Sequence, residues 1–225
     1  HHTELPFSVV RDPQGTLAAT TTLPDVNASQ GLPVLALGLS CRANQLGDAA
    51  FRRDHRVRYA LYGGAMANGI ASEELVEALA KEGLLGIFGA AGLSIERVAQ
   101  AIDRLQANLG GLPFGCNLIH SPNEQDLEAA VVQLYIERGV TLAEASAYLD
   151  LTPSVVRYRV HGIHEDGEGN IITPNRVIAK ISRVEVATKF LSPPPTKFLE
   201  KLVADGYITA GQAVLAARIP MADDI

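Results

Sequence analysis

From Val57 to Ile225 the chain alternates apolar runs of strand length with runs of helical period, and this alternation constrains the fold more than any other feature. Val57 to Ala65, Gly83 to Ala90, Leu112 to Ile119, Val140 to Tyr148 and Arg176 to Ser182 read as strands. The helix from Ser72 to Glu82 turns Leu75, Val76 and Leu79 to one side, and the helix from Ser94 does so with Ile95, Val98, Ile102 and Leu105. Ser121-Pro122-Asn123-Glu124 is a capping box for a helix to Arg138 with Leu127, Ala130, Val131 and Leu134 inward. Thr152-Pro153 opens another helix, and further helices follow at Val184 to Phe190, Pro194 to Asp205 and Thr209 to Ala217. Gly162 to Asn170 is a polar turn, and Ile219 to Ile225 opens a sixth strand. Strand and helix at this spacing build βαβ units around a parallel sheet, whose short strands are apolar on both faces because helices cover them.

Two architectures satisfy that pattern, a doubly wound open sheet and a (β/α)8 barrel. A doubly wound dinucleotide fold opens on Gly-x-Gly-x-x-Gly after its first strand, and the chain has no such turn. Its unusual residues instead sit at the C-terminal strand ends, where barrels build their sites: Gly63-Gly64-Ala65-Met66, Gly89-Ala90-Ala91-Gly92, Asn117 to His120 and Lys180-Ile181-Ser182-Arg183. The expected fold is therefore an α/β (β/α)8 TIM-type barrel, of which residues 57–225 supply the first five to six βα units. On that count the chain reads as the front part of a longer protein, with the rest of the barrel from further sequence, a second chain or a homo-oligomeric partner. Residues 1–56 read as a separate appendage with a β-hairpin: Phe7 to Arg11, a turn at Asp12-Pro13-Gln14-Gly15, and Thr16 to Thr22. Pro24 to Leu46 reads as an irregular connector, and His1-His2 as the stub of a purification tag.

Composition removes several function classes. The net charge of −6 opposes a nucleic-acid surface. The longest apolar run, Leu84 to Leu93, is half Gly and Ala and falls far short of a membrane span. Two cysteines, Cys41 and Cys116, support neither a disulfide framework nor a structural zinc site, so a reducing, cytoplasmic setting is expected and no metal. His161, His164 and Glu165-Asp166 fit a solvated loop better than a metal site, and Cys116 fits an inert buried thiol.

The candidate chemistry lies at the strand ends. Small residues from Gly64 to Asn68 let a planar ligand approach the backbone, although a tight βα turn needs the same residues. Gly89 repeats the theme one strand later and suggests a shared cavity floor. Asn117 is an amide in an apolar strand, partnered either by the core or by a ligand. His120 is either a general acid or a structural residue before a helix cap. Lys180 ends an apolar strand, so it pairs with an anionic cofactor, forms a Schiff base, or reaches to solvent. Glu144 is its candidate counter-ion on the neighbouring strand, and Ser146 shares the face of Glu144.

Taken together, Gly64 to Ala71, Gly86 to Leu93, Asn117 to Glu124, Ala147 to Pro153, Ala179 to Arg183 and Phe190 to Pro193 resemble the PfaD-type enoyl reductases of polyunsaturated-fatty-acid and trans-acyltransferase polyketide synthases, relatives of the nitronate monooxygenases. The resemblance covers Val57 to Ile225. It implies an FMN-dependent barrel that takes hydride from NADPH and reduces the 2,3-double bond of an acyl chain on an acyl carrier protein. By similarity Gly64, Ala65, Met66, Ala67, Asn68, Gly89, Asn117, Ser146 and Lys180 would contact the flavin, with Lys180 and His120 as catalytic residues. The family continues beyond these motifs into a Gly-Gly-His segment and glycine-rich loops that grip the FMN phosphate. Competing readings are a nitronate-oxidising flavoprotein, a Schiff-base lyase, and a non-catalytic fragment that docks a carrier protein.

Overall fold

The computed structural model describes residues 4–21, 32–122 and 125–225, which fall into two compact units, His1–Ala60 and Leu61–Ile225. In the first, strands β1 (Phe7–Arg11), β2 (Leu17–Thr20) and β3 (Val34–Gly38) form an antiparallel sheet in the order β2-β1-β3. The expected hairpin is present, its turn held by the Asp12 carboxylate, which accepts from the amides of Gln14 and Thr16 at 2.9 and 2.7 Å. The expected irregular connector, of which residues 24–31 lie outside the described residues, is corrected in its middle: Val34–Gly38 form β3, paired to the far edge of β1. That pairing is long-range, so no local turn signal announces it. Helix α1 (Ala49–Asp54) follows, capped by the Asp48 carboxylate, which accepts from the Ala50 amide at 2.7 Å.

The second unit carries the alternation: β4 (Tyr62–Gly63), α2 (Glu73–Lys81), β5 (Leu85–Phe88), α3 (Ile95–Leu109), β6 (Phe114–Ile119), α4 (Gln125–Glu137), β7 (Leu142–Ser146) and α5 (Pro153–Val160). A small antiparallel arm, β8 (His164–Glu165) with β9 (Ile171–Ile172), precedes β10 (Arg176–Lys180), and α6 (Val184–Phe190), α7 (Thr196–Ala204) and α8 (Ala210–Ala216) close the unit. The sheet is parallel with the order β10-β7-β6-β5-β4, so spatial order follows chain order without reversal. A doubly wound sheet reverses; a βα barrel does not. The unit is thus a curled parallel sheet of the half-barrel kind. On the open edge of β10, Asp224 forms a parallel bridge with Ile178, and its carbonyl accepts from the Ala179 amide at 2.9 Å.

Caps set the helix starts. The hydroxyls of Ser72, Ser94 and Thr152 accept from the amides of Leu75, Arg97 and Val155, and Thr209 with Gln212 forms a capping box. The box expected at Ser121 to Glu124 includes Asn123 and Glu124, which lie outside the described residues. Three expectations need correction. The first strand is two residues, not nine, because Arg56 turns left-handed at φ 55° and the Val57 amide closes α1 on the Arg52 carbonyl. The Gly162 to Asn170 segment is not turn throughout: it contains β8, which pairs with β9 just beyond it. On α4, Leu134 is buried and Val131 half-buried against the core as expected, but Leu127 and Ala130 are exposed and the other inward positions are Glu128, Val132 and Tyr135. Apolar residues lie on both sides of α4, and buried hydrogen bonds decide its phase: the Tyr135 hydroxyl donates to the Asn117 carbonyl at 2.6 Å. Likewise α2 buries Val76 and Ala80 and exposes Leu75.

Alternation across the strands then separates two environments. Cys116, Leu118, Ala143, Ala145, Val177 and Ala179 join the helices in the hydrophobic core. The register Asn117–Glu144–Ile178 and, one row on, Ile119–Ser146–Lys180 occupies the opposite face.

Candidate functional site

Glu144 is the centre of that second face. It is fully buried, and its carboxylate accepts from Lys180 Nζ at 3.0 Å, Asn117 Nδ2 at 3.3 Å, Ser146 Oγ at 3.4 Å and the Ala65 amide at 3.3 and 3.4 Å. A buried carboxylate is tolerated when it is paired with a cation and its lone pairs are filled by donors, as here. Asn117 Nδ2 also donates to the Glu144 carbonyl at 3.1 Å and to Ser146 Oγ at 2.8 Å. The Lys180 amine reaches the Ala65 carbonyl at 3.4 Å, and its side chain remains 48% exposed. The neighbouring Tyr62 hydroxyl is raised above its ordinary pKa by burial first, then by the negative charges of Glu144 and Asp224.

The small-residue loop after β4 is stitched to the loop after β5. The Asn68 amide donates to the Ala91 carbonyl at 2.7 Å and the Gly69 amide to the Gly89 carbonyl at 2.9 Å, while the Gly89 amide returns to the Ala71 carbonyl at 3.0 Å. A Cβ on Gly89 would lie 1.8 Å from the Met66 carbonyl oxygen, so internal packing alone demands glycine there. A Cβ on Gly64 would meet Glu144 Oε1 at 3.0 Å. The result is a rim of exposed backbone, with Met66, Ala67 and Asn68 facing out.

His120 belongs to a different cluster. Its Nδ1 lies 3.0 Å from Glu128 Oε2, and its ring stacks on Tyr148 with centroids 5.2 Å apart. The other oxygen of Glu128 accepts from the Tyr148 hydroxyl at 3.0 Å and from the Thr152 hydroxyl. Burial, and the Glu128 charge after it, push the Tyr148 hydroxyl well above its ordinary pKa. Glu128 therefore fixes the imidazole through Nδ1 and leaves Nε2 free of that partner. A cavity of about 510 Å³ runs beside both groups, lined by Ala90 to Ser94, Asn117 to Pro122, Leu127, Glu128 and Val131. A second, of about 310 Å³, is lined by Ala147, Tyr148, Lys180, Arg183 and their neighbours.

Of the residues singled out in the sequence, Gly64, Ala65, Asn117, Ser146 and Lys180 converge on one carboxylate, with Glu144 as the counter-ion expected for Lys180. Met66, Ala67, Asn68 and Gly89 form the adjoining stitched rim, and His120 stands in the Glu128 cluster. Glu128 escaped sequence reading because an acidic residue in a first helical turn is unremarkable. Among the described residues there is no cluster of potential metal ligands, and no helix is long and apolar enough to cross a membrane.

The relatives agree with this architecture. The chain is 49% identical over 185 residues to a component of the polyunsaturated fatty acid synthase of Thraustochytrium sp. (strain ATCC 26185 / S-3), covering 82% of the chain and 12% of that protein. It is 45% identical to the polyketide biosynthesis protein PksE of Bacillus subtilis (strain 168), covering 81% of the chain and 24% of PksE. The crystal structure of the enoyl reductase domain of MlnA, from the macrolactin biosynthesis cluster of Bacillus amyloliquefaciens, superposes with a TM-score of 0.78 at 42% identity, covering 80% of the chain and 41% of that domain chain. The chain thus spans less than half the length of each of these relatives. The profile of the nitronate monooxygenase family matches residues 52–209, more than half of the sequence, and the chain belongs to that family.

Proposed function

We propose that the chain is the cofactor-binding part of an enoyl reductase that uses FMN and NADPH to reduce the 2,3-double bond of an acyl chain carried on an acyl carrier protein. The observation that carries this reading is the Lys180 amine, held by Glu144 at the sheet's C-terminal end beside the half-exposed rim of Gly64 and Ala65. The residues fit a flavin. A flavin ring offers an electron-rich N1–C2=O edge that gains negative charge on reduction, and a fixed cation favours that state. It also offers one ring N–H. Asn117 has its amide nitrogen turned to Glu144 and Ser146, and no donor among the described residues reaches its Oδ1. Lys180, Asn117, Ser146 and the backbone from Gly64 to Asn68 would hold the ring, with Gly89 shaping the rim. Bound FMN supplies hydride transfer between NADPH and the unsaturated acyl chain.

His120, oriented by Glu128, would carry a proton at Nε2. A Schiff-base role for Lys180 is disfavoured, because its amine is already engaged as a donor to the buried Glu144 carboxylate at 3.0 Å. The similarity to synthase components supports a carrier-bound substrate and a barrel completed by further sequence, a second chain or a homo-oligomeric partner. The family name keeps a nitronate substrate as the second reading. The deciding experiment titrates the protein with FMN by fluorescence quenching, then follows NADPH oxidation with an enoyl thioester and, separately, oxygen uptake with an alkyl nitronate. Turnover of the nitronate but not of the thioester would overturn the enoyl-reductase assignment.

A further inference from the structure

The geometry points to Glu144 as the positioning residue of the flavin site, fixing the Lys180 amine and the orientation of the Asn117 amide together; this inference rests on the flavin reading above. Three observations carry it. Glu144 is fully buried and every donor on it is named: one ammonium, one side-chain amide, one hydroxyl and one backbone N–H. Those donors come from β6, β7, β10 and the loop after β4, so one carboxylate ties four segments at the sheet's C-terminal end. Two of the partners each keep an unused function. Lys180 retains a half-exposed amine-bearing side chain. Asn117 retains Oδ1, which is the outcome of Glu144 and Ser146 both drawing its Nδ2.

The consequence is chemical. An amide can offer either a donor or an acceptor to a ligand, and a negative neighbour on one side forces the NH2 toward itself. Glu144 thereby makes Asn117 present an acceptor, which suits a ring N–H. The same carboxylate holds the Lys180 amine beside the rim, at 3.0 Å from Glu144 and 3.4 Å from the Ala65 carbonyl, which suits an acceptor edge that becomes anionic. Glu144→Gln keeps the shape, removes the charge and replaces one of the two acceptor oxygens by an NH2 that cannot accept from Asn117 Nδ2 or Lys180 Nζ.

The test compares the purified protein with Glu144→Gln. Before FMN is added, Lys180 is acylated at fixed pH with an N-hydroxysuccinimide ester, and the extent is read by peptide mass spectrometry against Lys189 and Lys197 in the same sample. Loss of a charge-assisted partner should raise labelling of Lys180 about tenfold relative to those lysines. FMN affinity, read by fluorescence quenching, should fall about tenfold. Should Glu144→Gln fold poorly, Glu144→Asp keeps the charge but withdraws it by one methylene and should show the same two changes at smaller size. A parent that binds FMN beside a variant with unchanged labelling and affinity overturns the role of Glu144 and leaves the flavin reading intact. A parent that binds no FMN overturns the flavin reading and the cofactor half of this inference, while the labelling still decides whether Glu144 holds Lys180.

Discussion

Arg159 and Asp223 hold each other through two hydrogen bonds, at 2.8 and 3.1 Å, across 64 residues of chain. Arg159 also donates to the carbonyls of Asn175 and Pro220, and Asp223 accepts from the Val177 amide at 2.8 Å. The side chain of Arg159 is only 3% exposed. This pair is therefore what lays the last described segment along β10 and starts the next position in the sheet.

Arg159→Leu should remove four hydrogen bonds and leave the Asp223 carboxylate without its cation. Breaking a buried pair at one partner costs on the order of 3 kcal/mol. The denaturant midpoint should drop accordingly, and the Arg159→Leu/Asp223→Leu double variant should recover part of the loss. Independent, additive losses would show that the two side chains do not act as a unit.

A second pair gives a pH signature. Arg97 grips Glu73 through two hydrogen bonds at 2.6 and 2.9 Å, joining α3 to α2. The Arg97 hydrogen bonds hold the Glu73 carboxyl below its ordinary value of 4.5, against an opposing push from burial. A carboxyl lowered in the folded state stabilises the fold above its unfolded value and loses that stabilisation as pH falls through the folded value. Glu73→Gln should thus cost about 1 kcal/mol at neutral pH, since Arg97 is partly exposed and screened. The difference between parent and variant should vanish in acid. A gap of constant size from neutral pH down to below the ordinary carboxylate range would refute the linkage.

The Glu128 cluster predicts a tautomer. Because Glu128 only accepts, the neutral His120 ring must carry its proton on Nδ1, leaving Nε2 as an acceptor. Glu128→Gln can donate instead, which allows the opposite tautomer. Nitrogen NMR of the imidazole should show the protonated site moving from Nδ1 to Nε2 in the variant. Stability should fall by roughly 1–3 kcal/mol, because the Tyr148 and Thr152 hydroxyls lose part of their shared acceptor. An Nε2-protonated ring in the parent would remove Glu128 as the orienting group.

The legible and illegible parts of this molecule divide along physical lines. Parallel order could be read because βα alternation and strand-end residues are local signals, and each of α2, α3, α5 and α8 announces its start with Ser or Thr. Lys180 and Asn117 stood out because a polar side chain in an apolar strand is costly without partners. The strand β3 did not stand out, since its partner β1 lies more than twenty residues away and its own side chains are exposed or half-exposed. The inner face of α4 is only partly legible: Leu134 and Val131 meet the core as their hydropathy suggests, but the buried Glu128 looks like a surface residue until its three donors, from β6, β7 and α5 or the turns that follow and precede them, are in place. Gly89 reads as part of a cavity floor from its small-residue run alone, and the Met66 carbonyl supplies a packing reason for glycine there that no sequence pattern shows. A glycine tells that something comes close; only the fold tells what.

Lys180 allows the sharpest test of the proposed chemistry. Among the described residues its amine is the one cation that the register places beside Ser146 and the Glu144 carboxylate, at 3.0 Å from the latter. If it serves the cofactor, its charge must act while the ring accepts hydride and gains negative charge, so its removal should slow reduction more than it weakens binding. Lys180→Met should slow FMN reduction by NADPH roughly 10²-fold, the scale of one preorganised electrostatic donor. Lys180→Arg keeps the charge and should retain most of the rate. Both variants leave Glu144 with the donors of Asn117, Ser146 and Ala65, so cooperative unfolding should survive in each. Stopped-flow absorbance of the bound flavin separates the possibilities. A Lys180→Met protein that binds FMN and reduces it at the parent rate would take Lys180 out of the chemistry and leave it a structural partner of Glu144.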